Sequence, residues 1–100
     1  MTEDEARRHL DLFRVQIDDV DRRIVELLNE RTRVVEEFGR VKREAKLPVY
    51  EPKREVQVFE NVTGCNQGPL TPDALRGIFE RIIDEMRKIQ RIKIVADGDR

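Results

Sequence analysis

RRHLDLFRVQIDDVDRRIVELLNERTRVVEEFGRVKREAK, residues 7–46, contains no proline and a single glycine. Along it, Leu10, Phe13, Ile17, Val20, Ile24, Leu27, Arg31, Val34, Phe38, Val41 and Ala45 recur at steps that alternate between three and four residues. That is the pattern of a heptad seam on one long helix. A helix of about 40 residues is about 60 Å long, too long to be covered by the remainder of a 100-residue chain. The seam therefore predicts a homodimer in which long helices pair and each core is shared. One seam position is charged. A guanidinium at Arg31, among aliphatic neighbours, calls for an anion: a glutamate of the partner helix and a register-setting polar contact both fit, as does a bound ligand.

Composition narrows the function. Apolar residues make up 38% of the chain and charged residues 41%, a balance that borders on disorder were it not for the periodicity. Twenty basic and 21 acidic side chains give a formal charge of -1. Without a basic block or an aromatic platform, nucleic acid is not an expected partner. Cys65 is the single cysteine and His9 the single histidine, so an intrachain disulfide is impossible and a zinc site or a Ser-His triad has little to build on. The acidic N-terminus, with no apolar run, predicts neither a secretory signal nor a membrane span in the chain as given, and hence a cytoplasmic protein.

Beyond the first helix the signals are short-range. A polar lead-in offers Thr2 or Asp4 as an N-cap, and Leu47, preceding Pro48, is biased out of the helical region, which ends the helix near Lys46. Gly39 costs that helix about 1 kcal/mol relative to alanine and marks either a close approach or an ordinary tolerated glycine. Glu51-Pro52 starts a second helix of about residues 52–63, with Val56, Phe59 and Val62 as its apolar stripe. Residues 64–69 form a loop by composition. Thr71-Pro72-Asp73 then starts a third helix, expected over about residues 72–95, with Leu75, Ile78, Phe79, Ile82, Ile83, Met86 and Ile89 on one face. Gln90 falls on that face too, and its amide needs a partner. Ala96 to Arg100 read as a frayed tail. Three helices with no strand give an all-α fold in one domain over residues 1–100, its core at about 7–95.

The polar exceptions lie where they can converge. Arg31 and Lys42 are 11 residues apart, about three turns, so they differ by only about 20° around the axis and about 16 Å along it. Two long side chains leaning together can hold the ends of one small anion. Arg14 lies 17 residues before Arg31, about 25 Å away on another side of the helix. It can serve such a site only from a second subunit. Around the second helix, Glu51 and Glu55 share a face with Lys53 and Arg54 nearby, either as a solvated first turn or as a cluster facing a ligand hydroxyl.

Five fragments in order carry a family resemblance over about residues 8–91: Phe13-Arg14-Val15-Gln16-Ile17-Asp18-Asp19-Val20-Asp21, Leu27-Leu28-Asn29-Glu30-Arg31, Gly39-Arg40-Val41-Lys42, Val49-Tyr50-Glu51-Pro52-Lys53-Arg54-Glu55, and Ile78-Phe79 through Gln90. The chain resembles the bacterial all-helical chorismate mutases (AroQ class), intertwined homodimers of three helices per subunit. The form of the fourth fragment is similar to versions found alone or fused to the first enzyme of the shikimate pathway. The resemblance implies a cofactor-free rearrangement of chorismate to prephenate in phenylalanine and tyrosine biosynthesis. Arg31 and the other subunit's Arg14 would bind the two carboxylates. Lys42 would reach one carboxylate and the ether oxygen, and Gln90 would donate to that oxygen. Glu55, helped by Glu51, would accept from the ring hydroxyl, with Arg54 supporting this cluster electrostatically.

Two positions depart from the family pattern. Glu51 stands where aspartate is usual, so the longer acid either contacts the hydroxyl differently or leaves it to Glu55. Met86 stands where some relatives carry a serine that touches a carboxylate. Two other functions fit parts of the pattern: an isochorismate-pyruvate lyase of the same fold, and a helical dimerisation or regulatory module whose cations make only ion pairs. The Arg54-Glu55 pair favours the mutase. Partners implied are chorismate, a second copy of the chain, and another shikimate-pathway enzyme reached by fusion or docking.

Overall fold

The computed structural model describes the backbone of residues 1–98 and the side chains of residues 1–91. Three helices follow one another, α1 (Glu3–Glu44), α2 (Pro52–Cys65) and α3 (Pro72–Gly98), and no strand occurs among the described residues. The all-α expectation holds. Two units are distinguished, Met1–Arg33 and a second that begins at Val34, and α1 contributes to both.

In the first unit the helix starts at Glu3, where Thr2, one of the two expected N-caps, closes a capping box. Its Oγ1 accepts from the Glu5 N–H at 3.1 Å while its own N–H donates to Glu5 Oε2 at 3.4 Å. Glu3, Asp4 and Glu5 then place negative charge in the first turn, where the helix dipole favours it. Every side chain from Arg7 through Leu27 is exposed. That includes the seam residues Leu10, Phe13, Ile17, Val20, Ile24 and Leu27, and also Leu12, Val15 and Val25 beside it.

The second unit is where packing begins. Val35, Gly39 and Lys42 of α1, spaced four and three apart, form its covered stripe, while Val34, Phe38 and Val41 of the seam remain exposed one residue round the helix. The chain's own packing thus uses a neighbouring face of α1 and leaves the seam open. Arg40 lies on the exposed side, its guanidinium held above the ordinary arginine range by hydrogen bonds to Glu37 and Glu44.

α1 ends at Glu44, two residues before the expected end. Lys46 takes a left-handed conformation (φ 58°), its N–H bonds the Arg43 carbonyl at 3.1 Å, and the Leu47 N–H bonds the Lys42 carbonyl at 2.7 Å. This is the Schellman closure, here with lysine where glycine is usual. Pro52 opens α2 at its first helical position, where its missing N–H costs nothing.

α2 packs on α3. It does so through Glu55, Val58, Phe59 and Val62, whereas Val56, expected in the apolar stripe, is 56% exposed. The spacing of three and four that includes Val58 turns Val56 outward. α2 also runs two residues past its expected end, to Cys65. In the loop that follows, Asn66 Oδ1 accepts from the Gly68 N–H at 3.0 Å and its amide donates to the Leu70 carbonyl at 2.9 Å. Thr71 caps α3 as expected, its Oγ1 accepting from the Ala74 N–H at 3.1 Å.

On α3, Leu75, Phe79, Ile82, Ile83 and Ile89 are half-buried and Met86 is buried, while Ile78 stays exposed. The helix continues to Gly98, beyond the expected end near Val95, so the anticipated tail is helical at Ala96 to Gly98. Asp99 and Arg100 lie outside the described residues. No helix among the described residues is long and apolar enough to cross a membrane.

Candidate active site

Lys42 is the centre of the second unit's polar chemistry. An ammonium buried to 4% exposure needs strong partners, and it has them: Glu51 Oε1 at 2.6 Å and the Val49 carbonyl, to which Nζ donates at 3.1 Å. The Phe38 ring lies beneath it, with Nζ 4.7 Å from the centroid. Two of the three ammonium N–H groups meet these oxygens among the described residues. The same contacts tie the linker before α2 to the end of α1.

Gly39 lies one turn before Lys42 and on the same face. A methyl group there would lie 3.2 Å from Gln90 Cγ, so glycine is what lets the Gln90 side chain approach the α1 backbone. The close approach anticipated as one meaning of Gly39 is therefore made by a side chain of α3. Gln90 Oε1 is buried and has no hydrogen-bond partner among the described residues. An orphaned amide oxygen costs about 1–3 kcal/mol; as an acceptor it calls for a donor, and only the N–H groups of the same amide can serve an acceptor. Met86, four residues before Gln90 on α3, is 7% exposed and supplies an apolar wall beside it.

The start of α2 brings a second acid to a second cation. Glu55 Oε1 is ion-paired with Arg87 Nη2 of α3, and the Arg87 guanidinium lies 5.2 Å over the Tyr50 ring. Arg54 is exposed and donates to Gln57 at 3.4 Å, so the cation that meets Glu55 is Arg87. The sequence reading gave no site role to Arg87 or to Tyr50, although Tyr50 lies in the fourth fragment of the resemblance. Arg87 is three residues before Gln90, and that spacing was the available signal, masked by the similar charges of Arg81, Lys88 and Arg91 on the same helix.

The second unit thus gathers Lys42, Glu51, Glu55, Met86 and Gln90. In the first unit, Arg14 is exposed and paired with Asp11 at 2.9 Å, and Arg31 is half-buried. Among the described residues no group of three or more histidine, cysteine, aspartate or glutamate side chains could hold a metal ion. The arrangement offers hydrogen-bond donors and charges on a stiff frame. A reaction that requires positioning and charge stabilisation, with no covalent intermediate, is what such a set can perform.

Comparison with known proteins points the same way. The family model for chorismate mutase type II matches residues 13–91. The chain is 33% identical over 91 residues to the bifunctional chorismate mutase/prephenate dehydratase of Aquifex aeolicus, a match covering 86% of this chain and 25% of that protein. To the chorismate mutase of Methanocaldococcus jannaschii it is 23% identical over 80 residues, covering 79% of this chain and 81% of the other. The second form of the chorismate mutase of Thermus thermophilus superposes with a TM-score of 0.81 at 35% identity, covering 83% of this chain and 94% of that one. The chain spans about a quarter of the length of the bifunctional relatives it matches.

Proposed function

Because the chain belongs to the chorismate mutase type II family, we propose that it converts chorismate to prephenate, as a single domain working in a homodimer in the cytoplasm. The observation that carries this reading is the placement of Gln90 against Gly39, one turn from the buried ammonium of Lys42. It puts a neutral donor and a cation on one side of a site, with Met86 as an apolar wall.

The chemistry suits the inventory. The rearrangement breaks a C–O bond of the enolpyruvyl ether as a C–C bond forms, within one molecule, and it needs neither nucleophile nor proton relay. Two demands remain. The arm must be held folded over the ring, and negative charge must be stabilised on the ether oxygen as its bond stretches. In this reading Arg31 and the partner subunit's Arg14 grip the two carboxylates and supply the folding, an entropic contribution. Lys42 and the Gln90 amide N–H serve the ether oxygen. One such preorganised donor lowers the barrier by on the order of 2.7–4 kcal/mol. Glu51 holds Lys42 in place, and in this reading Glu55 is the main acceptor for the ring hydroxyl.

The seam supports the dimer. Leu10, Phe13, Ile17, Val20, Ile24, Leu27, Val34, Phe38 and Val41 are each between 43% and 65% exposed. Covering them would contribute on the order of 10 kcal/mol per chain at about 1.5–3 kcal/mol per fully buried side chain, as much as the whole stability of a typical domain. Leu12, Val15 and Val25 widen the exposed apolar surface past one seam, which favours a partner that contributes more than a single helix. Beyond the homodimer, the partner that suits this reading is a second enzyme of the same pathway, fused or docked, as the names of the bifunctional relatives suggest.

The test is direct. The purified chain, given chorismate, is expected to consume it and release prephenate, with a mass in solution of twice the 11.8 kDa chain. Release of pyruvate from isochorismate, with chorismate untouched, would replace this reading by the lyase.

A further inference from the structure

We propose that Arg87 is a positioning residue for substrate recognition, acting through Glu55 and braced by Tyr50; the proposal rests on the mutase reading above. Glu55 sits in the first turn of α2 and Arg87 on α3, so their ion pair fixes one element to another. Both side chains are about three-quarters covered, at 25% and 24% exposure. The pairs along the outer helix faces, such as Arg76–Glu80 at 60% and 59%, bind neighbours on one helix and stand in water. The mostly covered pair feels a lower local dielectric and holds its geometry more firmly.

The division of the carboxylate is the key feature. Arg87 meets Glu55 at Oε1, and a carboxylate has acceptor sites enough to be held by a guanidinium and still accept from a hydroxyl. A free glutamate has several rotamers, and ordering it at the moment of binding costs entropy. Arg87 removes that cost in advance. Its own long stem is restrained by the Tyr50 ring, 5.2 Å from the guanidinium carbon. Tyr50 in turn lies between Val49 and Glu51, both held by Lys42. The ether-oxygen cation and the hydroxyl acceptor are therefore tied through one short linker, anchored from α1 by Lys42 and from α3 by Arg87.

The ring hydroxyl keeps its own C–O and O–H bonds through the rearrangement, so its contact is made about equally before and during reaction. Loss of Arg87 should accordingly appear in KM more than in kcat. The experiment compares chorismate with its analogue in which the ring hydroxyl is capped as a methyl ether, using the full native chain, Arg87→Gln, Arg87→Lys and Arg87→Gln in a Glu55→Gln background. Arg87→Gln is expected to lower kcat/KM for chorismate by about 10- to 100-fold, the range for a lost contact to a charged group, and for the methyl ether by less than about threefold on the same grounds. Arg87→Lys, which keeps the charge without the planar fork, is expected to recover part of the lost preference. In the Glu55→Gln background Arg87→Gln should add little.

Equal losses on both substrates would mean that Arg87 merely holds α2 to α3, and would overturn the assignment while native turnover leaves the mutase reading intact. An Arg87→Lys variant no better than Arg87→Gln would overturn it as well. A native chain that does not turn over chorismate would sink the functional reading and this assignment together. Melting curves identify any variant that fails to fold, and Arg87→Met, which retains the stem, then replaces Arg87→Gln with the same expectations.

Discussion

Residues 1–33 and the residues from Val34 onward use similar material to different ends. The first stretch is helix with its apolar seam in the open and its charges spent on neighbours three or four residues along, such as Arg14 with Asp11. In the second, cations reach beyond their own helices, among them Lys42 to Glu51 and the Val49 carbonyl, and Arg87 to Glu55. In the proposed dimer the first would be the surface that meets a partner, and the second would carry part of the site. An isolated helix of this kind has only weak stabilisation of its own, so its long run of order makes sense when its seam is covered by another copy.

The largest expected effect tests whether the first stretch of one subunit serves the second stretch of another. Lys42→Ala is expected to reduce turnover by at least about 100- to 1,000-fold, and Arg14→Ala to cause a severe loss of its own. Mixed and re-paired, the two variants should regain activity. In the mixed dimer one site carries both substitutions and the other carries neither, so random pairing restores about a quarter of native activity. A mixture no more active than its components would confine Arg14 to its own subunit's chemistry and break the contrast between the two stretches.

A smaller effect at neutral pH, and a sharper one, concerns Gln90. If its amide donates to the ether oxygen, a glutamate there works only when protonated. The ordinary glutamate value is about 4.3, and burial raises it. Gln90→Glu should therefore lose activity as pH rises through that shifted value and recover it as pH falls, with a deficit of about 100-fold or more at pH 7. A profile parallel to that of the native chain would remove Gln90 from the ether oxygen.

What the sequence disclosed follows from the range of the forces involved. Thr2, Pro52 and Thr71 act within a few residues, and the helix starts they announce are found. The end of α1 was less legible because a lysine, Lys46, takes the left-handed position that glycine usually signals. The inward face of α1 was hidden for a related reason. Apolar periodicity points to the seam, yet the stripe that packs within the second unit is Val35, Gly39 and Lys42, of which only one is a large apolar residue. Lys42, Gln90 and Glu55 stood out by their positions in the sequence, and the resemblance supplied their expected roles. Arg87 did not stand out, since a charge on α3 acquires meaning only once α2 is laid against it.

Gly39 gives the smallest effect and the most pointed one. Gly39→Ala adds a methyl group 3.2 Å from Gln90 Cγ, a few tenths of an ångström too near. Against this, alanine favours the helix by about 0.8–1.0 kcal/mol. Gln90 can yield by a small rotation, so the two effects largely cancel and stability should move by less than about 1 kcal/mol, seen as a shift of a few degrees in melting temperature. Activity has no such compensation, because the rotation carries the amide away from the position it must hold. A misplacement of that order can cost up to about 100-fold when geometry is strict; for a few tenths of an ångström a loss of about three- to tenfold in kcat is expected on the same basis. An alanine variant with native turnover would mean that Gln90 tolerates displacement, and its contact with the glycine would then be packing alone.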